Sequence, residues 1–179
     1  SAVINNKLYV VGGRQSGGTG GTFAPLVPEV DVYDFATSVW STLPAGSNLP
    51  NARAASGTVN FQGNLVVIGG EGNGQAYDNV DALDVNTGTW TSLDNLNNAR
   101  HGTQAIVSGD GIWITSGSPN QGGGNQTNME VYGSDNPTGT AVTASTLTVV
   151  SDVMVPTGDM QSFTIDNSGG NQGIYVTSL

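Results

Sequence analysis

Cysteine is absent from the 179 residues, which removes disulfides, thiolate nucleophiles and cysteine-ligated zinc. Basic side chains are nearly as scarce, with four Lys and Arg against fourteen Asp and Glu and a net charge of −10. Nonspecific affinity for nucleic acid rests on Lys and Arg meeting phosphates, so nucleic acid is an unfavourable partner. The single histidine, His101, leaves no Ser-His-Asp set legible, and neither catalytic residues nor a cofactor are expected. No run of about 18 apolar residues occurs, so no membrane span is expected in this segment. Long helical patterns are missing as well.

What fills the chain is glycine, 27 of 179 residues, together with Asn, Ser and Thr, as in an all-β chain rich in turns. One strand motif recurs about every fifty residues: NKLYVVGG at 6–13, GNLVVIGG at 63–70 and GIWITSG at 111–117. A second match follows each, EVDVYDFATSVWSTL at 29–43, NVDALDVNTGTWTSL at 79–93 and NMEVYG at 128–133, the last stopping short of any tryptophan. Trp40 and Trp90 are 50 residues apart and Arg53 and Arg100 are 47 apart, a period that points to propeller blades. Strands such as Leu65-Val66-Val67-Ile68 are apolar at successive positions, which predicts sheets covered on both faces. The double glycines at 12–13 and 69–70 predict positive φ or a close backbone approach. The two tryptophans read as packing aromatics, each with an indole N–H in need of a partner.

An arginine opening a strand, a buried strand ending in Gly-Gly, a strand ending in Tyr-Asp or Leu-Asp, and a strand carrying Trp: over residues 1–133 this order resembles the kelch-repeat family, of the type found in the central domain of galactose oxidase. The resemblance implies an incomplete radial β-propeller of about two and a half four-stranded blades. The third repeat departs from the pattern, with Ser116 in place of the first glycine and no Trp strand. A ring needs at least about four blades, so the chain is expected to be part of a larger propeller, with association of several chains as the alternative. The copper centre of galactose oxidase requires two histidines and a cysteine crosslink, which this chain does not carry. A sialic-acid mutarotase of kelch fold is a second enzymatic relative, with no motif here to support it.

Composition shifts near Ser134. Residues 134–141, SDNPTGTA, read as a linker, and three β-rich runs follow within 142–179. Their end, QSFTIDNSGGNQGIYVTSL, resembles the opening of immunoglobulin-like sandwiches of the hydin and choice-of-anchor type, which implies a partial β-sandwich over 142–179.

In a four-stranded meander alternate turns emerge at the same end. Loops 14–28, 44–53, 71–79, 94–101 and 118–127 therefore share one rim, while Lys7 goes to the other. That rim collects Arg14, Arg53, Glu71, Arg100 and His101 as candidate ligand-binding residues, for a carboxylate, sulfate or hydroxyl-rich glycan that a planar guanidinium can grip. A second reading makes Arg53 and Arg100 braces between blades, paired with an acid such as Glu71 or Asp94. Asn125-Gln126-Thr127 is a glycosylation acceptor. Asp78, Asp81 and Asp84 make an improbable metal site at strand spacing, and Asp34 and Asp84 are expected to cap the turns after them.

The sequence thus predicts a noncatalytic extracellular or cell-surface binding or adhesion module, with a glycan or protein ligand on the loop face. A carbohydrate-active enzyme completed by other blades and a structural spacer are the alternatives.

Overall fold

A computed structural model of the chain describes residues 1–15 and 25–133. The expected linker 134–141 and immunoglobulin-like segment 142–179 lie outside the described residues. Among the described residues the chain is all β apart from a short 3-10 turn at Ala45–Ser47, and three antiparallel sheets of three or four strands follow one another, with a separate two-stranded hairpin beside the second.

The first sheet has β1 (Ala2–Ile4), β2 (Lys7–Val11), β3 (Val30–Asp34) and β4 (Val39–Thr42), in that order. In the second, β5 (Gly57–Phe61) and β6 (Asn64–Ile68) precede a small hairpin, β7 (Glu71–Gly72) and β8 (Gln75–Ala76), before β9 (Val80–Asp84) and β10 (Thr89–Ser92) complete the meander. The third holds β11 (Ala105–Ser108), β12 (Gly111–Thr115) and β13 (Met129–Gly133), three strands among the described residues. These are the sheets of a partial kelch propeller, two with four strands and one with three.

Local chemistry sets the turns. Asn5-Asn6 and Gln62-Gly63 take positive φ at both positions, as two-residue hairpins require. Asp34 Oδ1 accepts the Ala36 N–H at 2.8 Å, and Asp84 Oδ1 accepts that of Asn86 at the same distance, so both aspartates cap their turns as expected. Lys7 pairs with Asp34 at 3.4 Å, at the rim away from the glycine pairs.

Packing explains the continuous apolar strand. Leu65 and Val67 of β6 join Ile4, Tyr9, Val11, Val30 and Val32 in a core between the first and second sheets. Val66 and Ile68 point the other way and pack with Ala105, Ile112 and Ile114 of the third. Each such side chain removed from water contributes roughly 1.5–3 kcal/mol. The tryptophans part company here. Trp90 donates its indole N–H to the Ser47 carbonyl of the preceding loop at 2.8 Å, whereas Trp40 is 55% exposed and leans on Tyr33. Expected as an equivalent packing aromatic, Trp40 packs only on one side, against Tyr33.

The double glycines sit at the joints between sheets. Gly12 has φ +67, and a Cβ there would lie 2.7 Å from the Arg53 carbonyl oxygen. Gly69 has φ +60 and meets the Arg100 carbonyl even more closely. The second glycine of each pair donates to the same carbonyl, Gly13 to Arg53 at 2.9 Å and Gly70 to Arg100 at 2.8 Å. Only glycine leaves room for that approach.

Candidate functional site

Positions just after the glycine pairs, Arg14, Glu71 and Ser118, are equivalent in the repeat and lie at one rim. Arg14 and Glu71 carry opposite charge, and Arg14 Nη1 meets Glu71 Oε1 at 2.7 Å across the joint between the first two sheets. Glu71 Oε2 accepts the Gly122 N–H at 2.8 Å and lies 3.4 Å from His101 Nε2. The same ring nitrogen is 2.8 Å from the Asn120 carbonyl. Both neighbours of Nε2 are acceptors, so Nε2 carries the hydrogen. One buried carboxylate therefore holds together loops from all three sheets.

Beside this hub opens a cleft of 670 Å³. Its apolar walls include Leu26, Pro50 and Tyr77, and Asn51, Asn73 and Gln121 supply amides. The β7–β8 hairpin forms one lip. Asn73 and Gly74 make its tight turn with positive φ, Asn73 Nδ2 donates to the Tyr77 hydroxyl at 3.2 Å, and the Gly74 N–H donates to Gln121 Oε1. Arg14 borders the cleft together with Glu71, so the two side chains neutralise each other there.

Residues 14 and 25–26, 50–52, 71–77 and 121 converge at the cleft, as the meander reading expects of their loops, but two of the candidate ligand arginines are corrected. Arg53 and Arg100 are fully buried braces. Arg53 donates to the Gly69 carbonyl at 2.7 Å and the Val67 carbonyl at 3.1 Å, and its Nη2 pairs with Asp81 Oδ2 at 2.8 Å. Burial lowers the Arg53 pKa and Asp81 opposes that effect. Arg100 donates to the Ser116 carbonyl at 3.0 Å and to Glu130 Oε1 at 2.6 Å. The brace acids are thus Asp81 and Glu130, the second residues of β9 and β13, and not Glu71 or Asp94, because each arginine runs inward along its own sheet. Neither guanidinium faces the cleft.

Glu130 is a second convergence of donors. Burial raises its pKa, but the N–H of Asn97, the Asn98 side chain and Arg100 outweigh that and hold it below the usual carboxylate range. Its Oε2 accepts the Asn97 N–H at 2.6 Å, and Oε1 accepts that of Asn98 at 3.0 Å.

Of the sequence candidates, the structure brings Arg14, Glu71 and His101 together. Asn125 is exposed in the same set of loops, next to Gln126, whose N–H is tied to the Gly117 carbonyl at 2.8 Å. Sequence reasoning missed Tyr77, Gln121, Asn73 and the lip itself. The Asn73-Gly74 dipeptide is a hairpin signal that would have found the lip. Among the described residues no group of three or more His, Cys, Asp or Glu is arranged to hold a metal, and no helix is long and apolar enough to cross a membrane.

An F-box/kelch-repeat protein of Arabidopsis thaliana is 29% identical over 133 residues, which amount to 73% of this chain and 33% of that protein. The chain therefore spans about a third of the length of this relative. The KLHDC2/KLHL20/DRC7 kelch-repeats domain matches residues 1–158. With the glycine–arginine joints repeated between successive sheets and that match over most of its length, the chain belongs to the KLHDC2/KLHL20/DRC7 kelch-repeat family.

Proposed function

We propose that the chain is a noncatalytic binding module whose rim cleft takes an uncharged segment of a protein partner. The observation that carries this reading is the composition of the cleft. Apolar walls at Leu26, Pro50 and Tyr77 alternate with the amides of Asn51, Asn73 and Gln121, around an arginine paired with Glu71. Sites of this make-up gain affinity from apolar contact and orientation from a few polar groups. Pairing with Glu71 makes Arg14 a poor primary grip for an anionic glycan, since a ligand anion has to displace a carboxylate at 2.7 Å. Kelch repeats as a class support protein recognition over glycan binding.

The test uses the full chain against parallel peptide and glycan arrays, with Gln121→Ala and Tyr77→Ala variants. Expected is binding of neutral peptides that weakens at least ~10-fold in both variants, as for a central aromatic contact. Glycan binding with the same sensitivity would transfer the cleft to carbohydrate. Peptide binding indifferent to both variants would remove the cleft from the proposal. The extracellular setting that composition favours belongs to the proposal too, and is read by whether Asn125 carries a glycan on material from the natural source.

A further inference from the structure

The lip of the cleft carries the only Asn-Gly dipeptide of the sequence, Asn73-Gly74, and every other asparagine is followed by a residue with a side chain. Glycine leaves the backbone nitrogen after the asparagine unshielded, free to attack the side-chain amide carbon. We infer that Asn73 is a site of spontaneous deamidation, restrained by Gln121, whose products turn the rim cleft from neutral to acidic.

In this reaction the Gly74 nitrogen gives its proton to solvent and bonds to Asn73 Cγ. The Cγ–Nδ2 bond breaks, and Nδ2 leaves with an added proton as ammonia. Water then opens the cyclic imide at either carbonyl, giving an aspartyl or an isoaspartyl linkage. Water is the only co-reactant.

The geometry favours this position. Asn73 and Gly74 are both exposed, and a Cβ on Gly74 would meet open space, so solvent reaches the attacking nitrogen. The Tyr77 hydroxyl lies 3.2 Å from Asn73 Nδ2, beside the group that leaves, and a hydroxyl can donate as well as accept. The restraint is the bond from the Gly74 N–H to Gln121 Oε1. Deprotonation destroys that bond and sets a negative nitrogen against the amide oxygen of Gln121, so reaction needs the lip to part from the third repeat. Asp110-Gly111, the nearest chemical relative, is placed differently. Gly111 pairs with Ser108 on one side and Gly133 on the other, and a Cβ there would lie 3.1 Å from Val131 Cγ1. A carboxylate also resists the attack that an amide accepts.

Both products alter the cleft. Aspartate adds a negative charge to a lining whose Arg14 and Glu71 balance, and it removes the amide donor to Tyr77. Isoaspartate lengthens the backbone of the tight turn that sets Gly72 opposite Gln75. Weaker binding of an uncharged segment follows, and this consequence alone rests on the function proposed above.

Peptide mapping by mass spectrometry, on the full chain held at mildly alkaline pH, tests the site without any ligand. Expected is conversion at Asn73 ahead of the other asparagines of the described residues, to both products, at a rate that rises with pH. Conversion elsewhere with Asn73 intact, or aspartate without isoaspartate, would overturn the site. Gln121 is exposed, and Gln121→Ala is expected to speed conversion ~5-fold, the scale of one lost hydrogen bond. Gln121→Glu keeps an acceptor there and should keep the slow rate. An unaltered rate in the first variant, or a fast one in the second, would overturn the restraint. Asn73→Asp on the peptide array reads the consequence, with binding of neutral peptides expected to fall ~5-fold. Undiminished binding would remove the link between deamidation and the cleft, while the mapping result would stand by itself.

Discussion

Arg100 Nη2 and Glu130 Oε1 are 2.6 Å apart, with the arginine side chain fully buried and the carboxylate nearly so. The same arginine presents its carbonyl to Gly70 of the preceding sheet, so one residue joins two sheets through its backbone and secures its own through its side chain. Arg53 repeats the arrangement with Gly13 and Asp81.

Removing one partner of such a pair strands the other charge. Arg100→Met is expected to cost about 3–5 kcal/mol and Arg53→Met a similar amount, because Asp81 is then buried without its counter-ion. Urea denaturation of each variant measures the loss. A cost below about 1 kcal/mol would show that the pairs are solvated like surface ion pairs.

At the joint itself, Gly12→Ala and Gly63→Ala separate steric from conformational cost. Gly63 has φ +81 with open space around a Cβ, so its substitution meets only left-handed strain, about 1–2 kcal/mol. Gly12 adds the collision with the Arg53 carbonyl. Thermal unfolding is expected to rank Gly12→Ala well below Gly63→Ala.

The two tryptophans give an asymmetric prediction. Trp90→Phe removes the bond to Ser47 and costs about 0.5–1.5 kcal/mol beyond the smaller ring. Trp40→Phe, at an exposed position, changes stability by less than about 0.5 kcal/mol. Equal losses in denaturation would contradict the different surroundings of the two rings.

Acid sensitivity follows from three carboxylates. The pKa values of Asp34, Asp84 and Glu130 are lowered in the folded chain, the first two chiefly by the N–H of Ala36 and Asn86. A folded pKa below the unfolded one means stability that is fully present above the unfolded value and lost as pH falls through the folded value. Stability is therefore expected to be flat down to about pH 5 and to decline below about pH 4, where these acids protonate. Glu130→Gln should flatten that decline in a pH series of melting temperatures.

Much of the fold was legible because its signals are local. A strand apolar at every position between turn residues must be covered on both sides, and β6 is, with Leu65 and Val67 facing one neighbour and Val66 and Ile68 the other. The turns at Asp34 and Asp84 could be read from five residues each. Rim membership of Arg14, Glu71 and His101 followed from counting strands, since antiparallel connections alternate ends.

The partners of the rim residues were beyond reach of such counting. Arg53 lies 28 residues from Asp81, and Arg100 lies 30 from Glu130. Equivalence of those two acids in the repeat becomes visible only when the sheets are superposed. Tyr77 and Gln121 share a cleft because a hairpin of four strand residues folds out of the second sheet toward a loop of the third.

Spacing and residue type alone therefore determined the repeat, the sheets and the end of each sheet at which every loop emerges, since these depend on backbone geometry over a few residues. Only the tertiary structure decided which arginines are buried braces and which one borders a cleft. A guanidinium at the rim can turn inward or outward, and the direction is set by the carbonyls and carboxylates that a distant strand brings within about 3 Å of it.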